Sequence, residues 1–359
     1  MHKYNDLIPI YEWLPSFNKN KLLIIAGPCS IETEYDTINI FKEIKNTNIV
    51  DIIRAGIWKP RTKPGSFEGS GIEGLKWLNK AKDIYNMPIA IEVANASHVK
   101  EAIKYNVDII WIGARTTVNP FSMQEIADVL NGIDIPVMIK NPVNPDLDLW
   151  IGGIERIYNA GIKKIAAIHR GFSLKDNTPF RNMPLFDIVN KLSDKIPNLP
   201  IICDPSHIAG NSNLISFIAQ KSIEYNKTDG LMIECHSNPE KAWTDAKQQI
   251  TPKMLLNIIN AIKKYSDNDD FIEINVLRDK INNIDYDLLN KIAKRMQLSK
   301  LVGKYKKHNK ISIQQPDYWK EMLSKKIQYS NTLNLNENFI KIIMQMIHSE
   351  SVEIQKYNI

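Results

Sequence analysis

A (β/α)8 barrel of the TIM type, followed by a small all-α dimerising domain, is the fold class that three features of this sequence predict. Short apolar, β-branched runs alternate with amphipathic stretches, eight of each, between residues 22 and 265. Every run ends in charged or metal-capable side chains, where a parallel barrel collects its functional groups. Beyond residue 265 the strand rhythm stops, and apolar residues recur at helical spacing only. An open doubly wound sheet is the alternative, but eight consecutive regular units favour closure.

After an irregular opening, the predicted strands are 22–26, 50–53, 89–93, 109–112, 136–139, 164–168, 200–203 and 231–233. Between and after them fall helices near 34–46, 71–84, 97–106, 122–131, 151–160, 185–196, 212–226 and 251–265. The barrel thus occupies 1–265. The polar stretch Ser266-Asp267-Asn268-Asp269-Asp270 predicts a linker, and 271–359 a helical domain. Leu277, Ile281, Ile284, Leu288, Ile292 and Met296 lie on one helix that meets neither Gly nor Pro before Gly303. At 1.5 Å per residue, about 35 residues make a rod of roughly 50 Å, too long for a small domain to cover alone. Antiparallel pairing or a homodimer follows. Two more helices are expected near 317–330 and 336–357.

Composition narrows the function classes. A hydrophobic share of 43% over 359 residues supports a large core and excludes a disordered chain. The net charge of +6 accompanies an abundance of Lys, Ile and Asn that AT-rich coding explains, so it is weak evidence for nucleic acid. Cys29, Cys203 and Cys235 are too few for a disulfide framework, and Cys203 and Cys235 suit packing positions. Neither a signal peptide nor a membrane-length apolar run is apparent. A soluble cytoplasmic protein is expected, with small anions as partners and neither nucleic acid nor membrane.

Two sets of groups fall at the strand ends. Arg54, Lys59, Arg61, Arg115, Lys140 and Arg170 form a cationic set. So many cations at one barrel mouth repel one another unless the ligand brings several negative charges, such as two phosphates and a carboxylate. Salt bridges to nearby acids can account for one or two of the six. Cys29, His207, Glu234 and Asp245 form the second set. Thiolate, imidazole and carboxylates together suit one divalent ion of the Mn, Fe, Zn or Co class rather than Ca. Their scattered positions would not identify a site by spacing.

The motifs Gly27-Pro28-Cys29-Ser30, Lys59-Pro60-Arg61-Thr62, Gly113-Ala114-Arg115, Asp204-Pro205-Ser206-His207, Met232-Ile233-Glu234 and Trp243-Thr244-Asp245-Ala246 carry a resemblance. They resemble 3-deoxy-D-arabino-heptulosonate 7-phosphate (DAHP) synthase, which commits carbon to the shikimate pathway, and they run in family order over residues 22 to about 250. The resemblance implies that Arg54, Lys59, Ala114, Arg115, Lys140 and Arg170 bind phosphoenolpyruvate. It implies that Pro60, Arg61 and Thr62 meet erythrose 4-phosphate. Cys29, His207, Glu234 and Asp245 become the metal ligands, with Lys59, His207 and Cys29 the catalytic residues. The sister enzyme, 3-deoxy-D-manno-octulosonate 8-phosphate synthase, shares the barrel but carries Lys-Ala-Asn-Arg where Lys59-Pro60-Arg61-Thr62 stands here. With strand one near residue 22, feedback control is expected from a part of the chain other than an N-terminal extension.

The helical domain has two readings of different classes. Its Lys-rich run from Lys291 to Lys310 suits a nucleic-acid-binding helix, or a small-anion site beside a solvated face. Arg295 and Lys306, eleven apart, share a helix face, while Arg278 points roughly 100° away. Ser351 and Gln355 share a face on the last helix. Leu277-Arg278-Asp279-Lys280-Ile281, Arg295, Gly303-Lys304-Tyr305-Lys306, Ser351 and Gln355 resemble the all-helical chorismate mutase. That resemblance implies a homodimer in which Arg278 enters the partner's pocket. Arg295 and the partner's Arg278 would hold the carboxylates of chorismate. Lys306 and Gln355 would stabilise the breaking ether oxygen, and Arg295, Lys306 and Gln355 are the catalytic set.

One departure stands out. The family offers an Arg and a Glu near Tyr318 and Trp319, leaving Gln315 and Glu321 as the nearest substitutes. The expectation is a bifunctional enzyme whose tail dimerises and feeds prephenate or chorismate inhibition back to the barrel. The alternative is a tail that only senses these ligands. Deleting residues beyond 266 should leave an active, prephenate-insensitive synthase; a truncated enzyme still inhibited by prephenate rejects the feedback idea.

Overall fold

The computed structural model describes residues 4–13, 17, 21–59, 65–174, 178–225, 228–267, 274–333 and 335–357. Pro60, Arg61 and Thr62 lie outside the described residues, as does the side chain of Arg278. The chain divides into two units, Met1–Asp270 and Phe271–Ile359.

In the first unit β1 (Leu23–Gly27), β2 (Ile52–Ala55), β3 (Ile89–Val93) and β4 (Ile109–Ile112) are followed by β5 (Val137–Lys140), β6 (Ile165–His169), β7 (Ile201–Cys203) and β8 (Gly230–Glu234). All eight pair in parallel, in chain order, and β8 closes on β1 with Gly27 opposite Glu234. The helices are α1 (Glu34–Thr47), α2 (Gly71–Tyr85), α3 (Ala96–Lys104), α4 (Ala114–Thr117), α5 (Pro120–Leu130), α6 (Leu147–Asn159), α7 (Phe186–Lys195), α8 (Pro205–Ala209), α9 (Ile215–Tyr225) and α10 (Pro252–Asp267).

The strands read as nearly continuous apolar runs because both faces are covered. One parity points into the barrel: Leu23, Ile25, Ile52, Trp111, Met138, Ile168, Ile202 and Met232 fill it, and Ile10 and Trp13 of the N-terminal segment join that cluster. The other parity, including Ile24, Ala26, Ile53, Ile91, Ile139 and Ile233, packs on the helices. At roughly 1.5–3 kcal/mol per fully buried Ile or Leu side chain, these two layers supply the main drive to fold.

The structure shifts several helix boundaries, each for a capping reason. The helix expected from 122 begins at Pro120, because Asn119 accepts from the amides of Phe121 and Ser122. That expected from 151 begins at Leu147, where Asp146 accepts from Leu149. Apolar periodicity does not register such polar first turns. The short α8 was not expected; Asp204 caps it by accepting from the amide of His207, with Pro205 at its first position. Helix α10 carries through Asp267, two residues into the stretch expected as linker, and 268–270 lie outside the described residues.

The second unit is three helices, α11 (Ile274–His308), α12 (Pro316–Thr332) and α13 (Glu337–Tyr357). α13 packs on both α11 and α12. The 35-residue α11 runs straight through Gly303. An ideal Cβ there would sit 3.0 Å from Gln355 Cα and 3.2 Å from its Cβ, so the missing side chain lets α13 close on α11. Gly303→Ala gains about 1 kcal/mol of helix propensity, which offsets much of an overpacking cost of about 1–3 kcal/mol. If the expected chorismate mutase activity is present, the signature of this substitution is a small change in Tm with about a tenfold fall in chorismate turnover, because Gln355 is what must move. A melting curve and a chorismate-loss assay on the same preparation check it.

Candidate active site

The C-terminal ends of the strands surround a cavity of ≈ 360 Å³ lined by Lys59, Glu92, Ala114, Arg115, Lys140, Arg170, Arg181, Asn182, His207 and Asp245, among others. Five of the cation positions expected at the strand ends meet around this mouth; Arg61 lies outside the described residues.

Arg54 is fully buried under the cavity. Its Nη2 lies 3.3 Å from Glu234 Oε1, and its guanidinium sits 5.0 Å from the centre of the Trp111 ring. Burial opposes its charge, but Glu234 and Asp204 outweigh burial and hold its pKa above the usual value. Two of its donors, Nε and Nη1, have no protein partner. Gly27 permits this approach, since a Cβ there would fall 2.1 Å from the Arg54 carbonyl oxygen. Lys140, also buried, lies 2.9 Å from Asp204 Oδ2. Arg54 and Lys140 thus each have a buried carboxylate partner.

Arg170 donates from its amide to Asn141 Oδ1 at 2.7 Å and from Nη1 to Asn182 Oδ1 at 2.8 Å. Burial lowers its pKa to about 10, against the pull of Asp204, so it stays charged at neutral pH. Arg115 opens the short α4, one residue after Ala114. Lys59 donates to the Cys29 carbonyl at 3.0 Å and to Cys29 Sγ at 3.1 Å.

Beside these cations, Cys29 Sγ and one carboxylate oxygen each of Glu234 and Asp245 lie within 4.8 Å of one another. His207 flanks the trio, with Nε2 3.8 Å from Glu234 Oε1. Its Nδ1 is 2.8 Å from Asp204 Oδ2, an arrangement that fixes the ring and leaves Nε2 free to ligate. Burial, then the charge of Glu234, pushes the Cys29 thiol up to about 12. Asp245 sits at φ 46°, ψ 36°, and although burial disfavours its charge, Arg181 and His207 bring it down to about 2. Glu234 Oε1 is buried with no hydrogen-bond donor. A buried carboxylate oxygen that Arg54 balances in charge but no hydrogen bond saturates, among a thiol, a second carboxylate and an imidazole, belongs to a donor set that suits a divalent transition metal.

Polar residues that the strand-end reading passed over hold this cluster. Gln248 donates to Glu234 Oε2 at 2.6 Å and accepts from Arg181 at 2.6 Å, while Arg181 also reaches Asp245 Oδ1 at 3.1 Å. Gln249 accepts from the Cys29 amide at 3.0 Å and donates to the Thr244 carbonyl at 2.9 Å. The loops after β1 and β8 that carry Cys29 and Asp245 are thereby tied together. Arg181 lies mid-loop, away from any strand end. Asp204 carried a local signal, an Asp-Pro cap with His three residues on.

His169 ends β6 close by, buried against Phe172 and Phe186. Burial lowers its pKa to about 4, against a bond to the Pro184 backbone. Unfolded, it titrates near 6.5, so between pH 6.5 and 4 the unfolded chain binds the extra proton. Stability is therefore full above about pH 6.5 and falls by about 3 kcal/mol as pH drops to 4. Melting temperature against pH should show this acid limb, shallower in His169→Phe.

In the helical unit Arg295 Nη1 donates to the Ile347 carbonyl at 3.2 Å and to the Ser351 hydroxyl. Lys306 donates to the Ile313 carbonyl at 2.8 Å. Gln355 is buried, and its Oε1 has no partner. Arg295, Lys306 and Gln355 occupy covered positions on facing helices, as does Ser351. Gln315 stands exposed at the N-terminal cap of α12 and makes no side-chain bond to that helix. Glu321 turns to solvent and pairs with Lys325 at 2.5 Å, so it does not replace the missing acid. Trp319 stacks on His348, ring centres 3.8 Å apart and 9° from parallel.

No helix among the described residues is long and apolar enough to cross a membrane. Two family models match the sequence: the DAHP synthetase I family over residues 17–268, and chorismate mutase type II over 277–356. A phospho-2-dehydro-3-deoxyheptonate aldolase of Thermotoga maritima is 31% identical over 247 residues, covering 68% of this chain and 70% of that protein. A 2-dehydro-3-deoxyphosphooctonate aldolase of Desulfatibacillum aliphaticivorans is 26% identical, covering 66% of this chain and 89% of the relative. Among solved structures, the Thermotoga maritima DAHP synthase superposes with a TM-score of 0.62 at 30% identity, covering 68% of this chain and 69% of that one. The chain belongs to the DAHP synthetase I family and carries a chorismate mutase type II domain after its barrel.

Proposed function

We propose that the barrel condenses phosphoenolpyruvate with erythrose 4-phosphate to DAHP and phosphate, and that the helical unit rearranges chorismate to prephenate. The observation that carries the first activity is the joining, in one cavity, of a cationic wall and a mixed thiol, imidazole and carboxylate cluster. Arg54, Lys59, Arg115, Lys140 and Arg170 take the phosphate and carboxylate of phosphoenolpyruvate. So many cations at one mouth favour a ligand of several negative charges there. Pro60, Arg61 and Thr62 take the sugar phosphate.

Cys29, His207, Glu234 and Asp245 hold one divalent ion of the Mn, Fe, Zn or Co class, which when bound polarises the erythrose aldehyde as a Lewis acid. C3 of phosphoenolpyruvate attacks the aldehyde carbon, water adds at C2, and inorganic phosphate leaves with cleavage of its C–O bond. Lys59, whose Nζ donates to Cys29 Sγ at 3.1 Å, gives a proton to the new hydroxyl oxygen. The proton lost by the added water balances it. Asp204 holds His207 and Lys140 in place through one carboxylate.

A phosphate-release assay with both substrates, with and without chelator, tests this reading. Turnover that chelator abolishes and metal restores is expected; turnover indifferent to chelator rejects the metal role, and none at all rejects the synthase.

For the helical unit, Arg295 holds a carboxylate while Lys306 and Gln355 stabilise charge developing on the ether oxygen, with no general base required. The unit dimerises through α11, where Ile281, Ile284, Leu288, Leu298 and Val302 lie exposed in a row along the helix. Sedimentation of the intact chain as a dimer is the expected result.

A further inference from the structure

The covered face of α12 consists of Trp319, Met322, Leu323, Lys326, Ile327 and Ser330, while the other positions from 317 to 329 are exposed. Lys326 is thus a lysine set into an otherwise largely apolar stripe. Its neighbours Lys320 and Lys325 face solvent, and Lys325 pairs with Glu321. Among the described residues no carboxylate lies within ion-pair distance of Lys326.

The stripe faces α13. Trp319, seven residues before Lys326, stacks on His348 of α13, and His348 lies on the same covered face as Ser351 and Gln355. Arg295 reaches Ser351 from α11. Burial lowers the pKa of Lys326, and the charge of Arg295 lowers it further. Burial, then Arg295, Lys306 and Lys326, lowers that of His348. Cations of α11, α12 and α13 thus act on one another's charge, and on the His348 face of α13 the buried Gln355 Oε1 is an orphan. A desolvated lysine among like charges costs stability unless something anionic arrives.

We propose that Lys326 is a further substrate-binding residue of the helical unit, giving a charge-assisted hydrogen bond to one carboxylate of a dianionic substrate. This rests on the chorismate mutase reading of that unit and deepens it. Arg295 and Lys306 already spend donors on backbone carbonyls, whereas Lys326 has no acceptor among the described residues. Arg295 and the partner's Arg278 both come from α11, and α12 adds this cation to them.

The test uses the full-length chain and its Lys326→Met and Lys326→Arg variants. Lys326→Met should cut mutase kcat/KM by about 10- to 100-fold, the range for one charge-assisted bond. The loss should fall chiefly on KM and be partly restored in Lys326→Arg. The unliganded Tm of Lys326→Met should stay level or rise, since an unpaired charge leaves an apolar stripe. A kcat/KM within twofold of the parent, or an activity loss that tracks a fall in Tm, overturns the proposal.

If the parent chain turns over no chorismate, the mutase reading has failed and thermal shift decides Lys326 separately. A smaller chorismate-induced rise in Tm for Lys326→Met supports it. Equal rises, or none in either protein, overturn it.

Discussion

Replacing Glu234 by Ala should abolish synthase turnover and lower the melting temperature of the barrel together. Glu234 is fully buried and serves three neighbours: Arg54 at 3.3 Å, Gln248 at 2.6 Å and His207 at 3.8 Å. Removing it takes the nearest counter-charge from the Arg54 guanidinium in the barrel interior, over Trp111, and leaves only weaker support from Asp204 among others. Breaking one side of a buried pair costs about 3–5 kcal/mol, which for a domain of this size is a fall of about 10 °C in Tm. A double variant, Arg54→Met with Glu234→Met, should recover most of the stability and none of the activity. Metal content after dialysis, phosphate release and a melting curve read the three consequences separately. A single variant that melts within 2 °C of the parent would show that Arg54 finds its charge balance elsewhere.

The same residue shows how far the sequence reaches. That Glu234 ends a strand was legible, because β8 is an unbroken apolar run stopped by a carboxylate, and the parallel barrel needs such runs. That it meets Cys29, 205 positions away, was not legible from spacing, since only barrel closure of β8 on β1 brings the two together. The scaffold is a local property repeated eight times, whereas the site is a product of the closure. Arg181 escaped for a related reason. It sits mid-loop between β6 and α7, in a segment without periodicity, and acquires meaning only through Asp245 and Gln248. Lys326 is the opposite case. Its place in the pattern Trp319, Met322, Leu323, Lys326, Ile327 was open to inspection, but a lysine in a lysine-rich helix draws no notice until burial singles it out.

Helix α11 shows a local rule giving way to tertiary context. Gly303 suggests a helix end, yet the helix continues to His308, because packing against α13 at Gln355 requires a residue without Cβ. A glycine inside a helix costs about 1 kcal/mol relative to Ala, and the close approach of the two helices at the buried Gln355 offsets that.

Arg295→Ala should lower chorismate kcat/KM by about 10²–10³-fold, the usual effect of deleting one preorganised donor aimed at substrate charge. Arg295 is partly buried, its pKa is lowered by desolvation, and Ser351 and the Ile347 carbonyl hold it in orientation. Ser351→Ala should cost less, about tenfold, because it loosens the guanidinium without removing it. Synthase turnover measured on the same Arg295→Ala preparation, without prephenate or chorismate, should match the parent, since Arg295 belongs to the second unit. The two activities thus give each other an internal control. A loss of both would mean that the substitution unfolds or dissociates the protein. A loss of neither would remove Arg295 from the pocket, and with it the cation against which Lys326 and His348 were placed.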